Sequence, residues 1–180
     1  MCETLRRNLS GICSVVVEEF SSKNINSTKK KKKKNFCIFG NPVGKSPSPA
    51  MHNCAFELFG VSNTHRYERE DTKDLKRVES VLQSSNFAGA SVTIPFKESI
   101  RPLLDTISPV AELVGAVNTV IIRDGRLTGE NTDGQGFVQS LKTITDPAGT
   151  NMVIFGAGGA ARAIAVESAL AGASSITIVN

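Results

Sequence analysis

The stretch Val153-Ile-Phe-Gly-Ala-Gly-Gly-Ala-Ala161 constrains what this chain can fold into more than any other. An apolar run stops at glycine and resumes as Arg162-Ala-Ile-Ala with helical spacing, so strand, tight turn and helix follow one another. In this G-x-G-x-x-A arrangement Gly156 permits the turn, Gly158 leaves the backbone open to a pyrophosphate, and Ala161 lets the helix pack on the sheet. The loop Gly156, Ala157, Gly158, Gly159 and Ala160 is therefore a candidate dinucleotide cradle, with helical N–H groups facing the anion. A plain tight turn is the competing reading. Ser175 to Val179 supplies a second strand, and Asn180 stands 19 residues after Ala161. A chain selective for NAD places Asp or Glu at about that distance, to hold the ribose 2′-hydroxyl. A neutral Asn180 leaves room for a 2′-phosphate, which favours NADP.

Upstream, strands and helices alternate. Asn35 to Phe39, Thr64 to Arg69 and Gly89 to Ile94 read as strands; Ala50 to Phe59, Lys73 to Ser84 and Lys97 to Asp105 read as helices, the last complicated by Pro102. Val117 to Arg123 and Arg126 to Gly129 flank Asp124-Gly125, a strong hairpin signal. The pattern predicts an α/β protein: a mainly parallel open sheet forming a substrate-binding domain, followed by a truncated Rossmann-type unit, with the hairpin adding one antiparallel strand. The expected division is a disordered basic arm over 1–34, a first domain over 35–133, a connecting helix and linker over 134–148, and the opening β-α-β of a dinucleotide domain over 149–180.

Charge supports that division. Residues 1–34 carry nine Lys and Arg against three Glu, a net of +6, while the other 146 residues sum to −2. The run Lys29 to Lys34 repels itself and reads as a solvated arm. A tether to nucleic acid or an anionic surface is the alternative, but the folded part is not basic. No apolar run approaches the ~18 residues that cross a bilayer. Cys2, Cys13, Cys37 and Cys54 form no C-x-x-C pair, and His52 and His65 do not join them at zinc-ligand spacing, so no metal is expected. Scattered cysteines fit a reducing compartment, with the cytoplasm as the default. Arg6, Arg7 and nearby serines allow a plastid transit peptide, which Glu18 and Glu19 argue against.

Three further places could carry chemistry. Ser46 and Ser48 each precede proline, which predicts extended backbone and two hydroxyls facing one way, suited to a small carboxylate or polyol. Lys97 follows a strand end, where a lysine is equally a solvated helix-start residue. Asp133 lies in Gly129-Glu-Asn-Thr-Asp-Gly134 and could be an ordinary helix cap.

Together the segments FGNPVGKSPSPAMHN (39–53), SVTIPFKE (91–98), GAVNTV (115–120), GENTDGQGF (129–137) and IFGAGGAARA (154–163) resemble shikimate dehydrogenases, in order and at matching separations, over residues 36–180. The resemblance implies reversible NADPH-dependent reduction of 3-dehydroshikimate to shikimate, a step of aromatic amino acid biosynthesis. It assigns Lys97 and Asp133 as the catalytic pair, Ser46 and Ser48 to the substrate carboxylate, and Thr93, Asn118 and Asp133 to the ring hydroxyls. A dehydrogenase that also accepts quinate is the neighbouring reading, and a non-catalytic fragment whose polybasic arm does the binding is the reading from another class. A homodimer is compatible with all of these. Lys45 stands where relatives commonly carry histidine. Because only the opening of the dinucleotide domain is present, the chain by itself is expected to lack full activity.

Overall fold

The computed structural model describes residues 33–180. Most of the basic arm, with Cys2, Cys13 and the transit-peptide reading, lies outside the described residues. The order is β1 (Lys34–Gly40), α1 (Ser48–Leu58), β2 (His65–Asp71), α2 (Leu75–Leu82), β3 (Phe87–Val92), α3 (Phe96–Ser99), a 3-10 turn (Arg101–Leu103), β4 (Thr106–Ile107), α4 (Pro109–Val114), β5 (Thr119–Arg123), β6 (Arg126–Glu130), α5 (Asp133–Leu141), β7 (Asn151–Phe155), α6 (Gly159–Leu170) and β8 (Ser175–Val179).

Six strands form one sheet in the order β2-β1-β3-β5-β6-β4. β1 runs parallel to β2 and β3, and β4 runs parallel to β6. β5 is antiparallel to both of its neighbours, so it is the one reversed strand of this sheet, as the hairpin signal predicts. Asp124 and Gly125 at the hairpin tip have φ of 51° and 78°, the left-handed pair that a two-residue turn requires.

β1 is apolar from Phe36 to Phe39 because that stretch is covered on both faces. Cys37 and Phe39 join Val78, Val81, Leu82, Val92, Phe96 and Val120 in one core layer. Phe36 and Ile38, which alternate with them, pack with Val43, Phe56 and Tyr67 in the other. β2 is an edge strand, and Asn53 of α1 tends its free side: the Asn53 amide donates to the Tyr67 carbonyl and accepts from the Tyr67 N–H, both at 2.9 Å.

Two sequence expectations need correction. The helix expected over 97–105 is a single α-turn followed by a 3-10 turn, because Pro102 has no N–H to continue an α-helix. Ser48 is not extended. It opens α1, where Pro49 in the first turn costs no helical hydrogen bond, while Pro47 takes the cap position. Two elements had gone unread. α4 is only six residues long, but it has a serine cap at Ser108, a proline at its first position and left-handed Gly115 (φ 71°) at its end. β4 is too short to leave a pattern.

β7 and β8 pair in parallel as a separate two-stranded sheet. Its α6 packs against α4 through Val114, Ala116 and Ala163. α6 also lies against α5 so closely that a Cβ on Gly134 would fall 2.2 Å from the Ala163 carbonyl oxygen. Phe155 is 82% exposed and Val153 59% exposed, so this small sheet shows apolar surface.

Candidate active site

β1, β3 and β6 run in one direction, so their carboxyl ends lie along one edge of the sheet. The reversed β5 brings its amino end to the same edge. The Ser46/Ser48 loop leaves β1, Thr93 and Lys97 leave β3, Asp133 follows β6, and Asn118 immediately precedes β5. This is the crevice in which open α/β sheets bind ligands. The backbone is continuous there: Asn41 N–H bonds the Ile94 carbonyl, Thr93 N–H the Phe39 carbonyl, Val92 N–H the Asn118 carbonyl, and Asn118 N–H the Glu130 carbonyl.

Lys97 Nζ lies 2.5 Å from Asp133 Oδ2, with side chains 22% and 27% exposed, so the pair is sheltered but reachable. The other carboxylate oxygen accepts from the Asn118 amide at 2.8 Å. Asn118 is itself fixed, because its oxygen accepts from Thr132 N–H at 3.0 Å and from the Thr119 hydroxyl at 2.9 Å. Val117 N–H bonds the Lys97 carbonyl at 2.7 Å, which ties the lysine turn to the Asn118 segment. Asp133 is the first residue of α5 and Thr132 takes the cap position, so the simple capping role does not apply to Asp133. The carboxylate is left to the lysine and the amide.

Sequence reasoning missed Asn131 and Thr132. Asn131 is 5% exposed; it donates to the Ala116 carbonyl at 2.9 Å and accepts from Asp133 N–H at 3.0 Å, so it aims the turn that presents Asp133. The signal was an unusually polar run, Glu130 to Asp133, between a strand and a helix.

Ser46 and Ser48 form a second group on this edge. Their hydroxyls lie 3.1 Å apart, hydrogen-bonded to one another, so they do face one way, although one serine is helical. Arg69 holds the loop by donating to the Ser46 carbonyl at 2.6 Å, and Asp71 accepts from the Asn41 amide at 2.6 Å. Lys45 is exposed on the turn before them.

In the glycine loop Gly156 has φ 102°, a value that disfavours any side chain, and its N–H bonds the Val179 carbonyl at 2.6 Å. Asn180 thus sits beside the turn. A Cβ on Gly156 or Gly158 would meet nothing within 4 Å, and α6 has no side-chain cap. Open space in front of uncapped helical N–H groups fits a pyrophosphate. The loop reaches the first site, since a Cβ on Gly159 would lie 3.9 Å from Lys97 Cδ.

Among the described residues no cluster of three or more His, Cys, Asp or Glu is placed to hold a metal, and no helix is long and apolar enough to cross a membrane. A cavity of about 500 Å³ opens at the opposite edge of the sheet, between Lys33, Phe87, Ala88 and the hairpin tip. None of the predicted site residues lines it.

Residues 38–120 match the family model described as the shikimate dehydrogenase substrate binding domain. A relative named shikimate dehydrogenase (NADP(+)) from Desulforamulus reducens is 44% identical over 145 residues, covering 79% of this chain and 50% of the relative. The chain spans about half the length of the curated relatives it matches. Among solved structures, shikimate 5-dehydrogenase from Listeria monocytogenes in complex with shikimate and NAD superposes with a TM-score of 0.75 at 39% identity, over 87% of this chain and 54% of that one. Ligand-free 5-ketofructose reductase of Gluconobacter sp. strain CHM43 superposes with a TM-score of 0.75 at 45% identity, over 82% and 53%.

Proposed function

The chain belongs to the shikimate dehydrogenase family, and on that premise we propose that it forms the substrate site and the opening of the cofactor site of an NADP-linked shikimate dehydrogenase. The reaction is the reversible reduction of 3-dehydroshikimate to shikimate. The observation that carries the reading is the sheltered Lys97–Asp133 contact, beside the glycine loop and on the same sheet edge as the paired serines.

Gly156 to Ala160 and Asn180 would hold NADPH, and the bound cofactor would supply the hydride. The residues of this chain do the rest. The Ser46 and Ser48 hydroxyls donate to the substrate carboxylate and fix that end of the ring. Thr93, Asn118 and Asp133 engage ring hydroxyls and turn the 3-keto group toward Lys97. As charge builds on the keto oxygen, the Lys97 ammonium stabilises it and donates its proton. Asp133 orients the ammonium, and in the reverse direction Lys97 recovers the proton from the alcohol.

The ketofructose reductase likeness makes substrate choice the point to test. A ketosugar has no carboxylate for the two serines, and quinate has an additional hydroxyl on the carboxylate-bearing carbon, where the serine loop would crowd it. In a full-length version, oxidation of NADPH by 3-dehydroshikimate, 3-dehydroquinate and 5-ketofructose should favour the first in kcat/KM, and Ser46→Ala with Ser48→Ala should erode that preference mainly through KM. Equal or better turnover of 5-ketofructose would reject the assignment.

A further inference from the structure

The ion pair between Glu98 and Arg162 has no part in the chemistry above, yet it joins the two units that the chemistry needs in register. Glu98 Oε1 meets Arg162 Nη2 at 2.5 Å. Glu98 follows Lys97 on α3, a single turn pinned by Phe96 (2% exposed) and Ile100 (0%). Arg162 is the fourth residue of α6, one turn into the helix that the glycine loop opens. The Arg162 Nε and Nη2 atoms are covered from solvent, and Glu98 is the partner of Nη2 while Nε has no acceptor. The side chains of Arg162 and Glu98 are 37% and 63% exposed, so this is a partly exposed ion pair that acts by holding two groups at a set distance. At the same place a Cβ on Gly159 would stand in van der Waals contact with the Ala116 methyl (3.4 Å) and the Lys97 stem (3.9 Å), so the helix start lies close over both. The neighbouring apolar contact of Val114, Ala116 and Ala163 holds α6 down but is non-directional. The ion pair adds an attachment at one defined point of the helix.

We propose that Glu98 and Arg162 are positioning residues for Lys97: their ion pair holds the first turn of α6 over the lysine stem and sets the separation between the dinucleotide loop and the ammonium. Hydride and proton reach neighbouring atoms of one carbonyl from groups on different units, where a misplacement of about 1 Å costs on the order of 10²-fold in rate. That catalytic consequence rests on the dehydrogenase reading; the contact is testable without turnover.

The test is competitive acylation of lysines in the 180-residue chain, read by peptide mass spectrometry as the ratio of Lys97 to exposed Lys76 of α2. Glu98→Gln and Arg162→Met should each raise the ratio about two- to fivefold, the range for a partly exposed ion pair. The charge swap E98R with R162E should return it to the wild-type value. Glu98→Asp, which keeps the charge but falls one methylene short, should give an intermediate rise and serves where the neutral variants do not fold. An unchanged ratio in a folded variant, or a rise that the swap fails to reverse, overturns the proposal. In a full-length version with NADPH and 3-dehydroshikimate, the same variants should lower kcat and leave KM within about twofold. A full-length version that labels as expected but shows no turnover counts against the function and leaves the pair standing.

Discussion

Asp133 offers one oxygen to Lys97 and the other to Asn118, so neither partner can leave without freeing the carboxylate. Because the lysine charge is needed most as the alkoxide forms, Lys97→Ala in a full-length enzyme should lower kcat roughly 10²-fold with little change in KM, which steady-state kinetics with 3-dehydroshikimate checks. A variant with near-normal kcat would remove Lys97 from the mechanism. Asn180 carries a second prediction. In a full-length version, where an arginine is expected to follow and engage the 2′-phosphate, NADP should bind about tenfold more tightly than NAD, and Asn180→Asp should reverse the order, since a carboxylate repels the 2′-phosphate and accepts from a 2′-hydroxyl. Calorimetry with both cofactors decides it, and a preference indifferent to the substitution would place the ribose elsewhere. Lys97, Asp133, Ser46 and Ser48 were open to a sequence reader because each stands in a polar break beside an apolar element. Asn131, Glu98 and Arg162 were not, because their roles depend on which turn lies opposite.

Among the elements, those that announce themselves do so through local chemistry. β1 and β7 are apolar runs closed by glycine, and the hairpin carries Asp124-Gly125, so all three appear where the sequence places them. α3 and α4 are set by prolines acting against or with a helix, and only packing on β3 and β6 tells which. Close approach of α5 and α6 at Gly134 was equally hidden, since a glycine in a helix reads as a weakness. It predicts that Gly134→Ala destabilises by roughly 1–3 kcal/mol, because the Ala163 carbonyl cannot move aside without breaking α6. Denaturant unfolding measures this, and an unaltered midpoint would mean the helices are not so close. α1 carries a pH dependence through His52, stacked on Tyr67 with ring centroids 4.2 Å apart. Burial pushes the His52 pKa below its ordinary value of 6.5. The unfolded chain therefore takes up a proton that the folded one refuses, so stability is full above pH 6.5 and falls as pH drops through that value toward the depressed one. The melting temperature should fall between pH 7.5 and 5.5, about one pH unit on each side of the unperturbed histidine pKa. His52→Phe, which retains the stacking, should flatten that fall; an identical slope would rule His52 out as its source.

At the scale of the whole molecule, the reversed β5 is what makes a site. It delivers Asn118 to the edge at which β1, β3 and β6 end, and α6 brings the glycine loop against Lys97 there. The opposite edge carries the cavity by Lys33 and the hairpin tip, with none of the reactive cluster. The most direct test of this account is a titration of the isotope-labelled 180-residue chain with shikimate, followed by amide chemical shifts. Saturable shifts are predicted at Ser46, Ser48, Thr93, Lys97, Asn118 and Asp133, with Phe87, Ala88 and Asp124 at the opposite edge unmoved. A folded chain whose first group stays silent, or whose shifts centre on the opposite cavity, would contradict it.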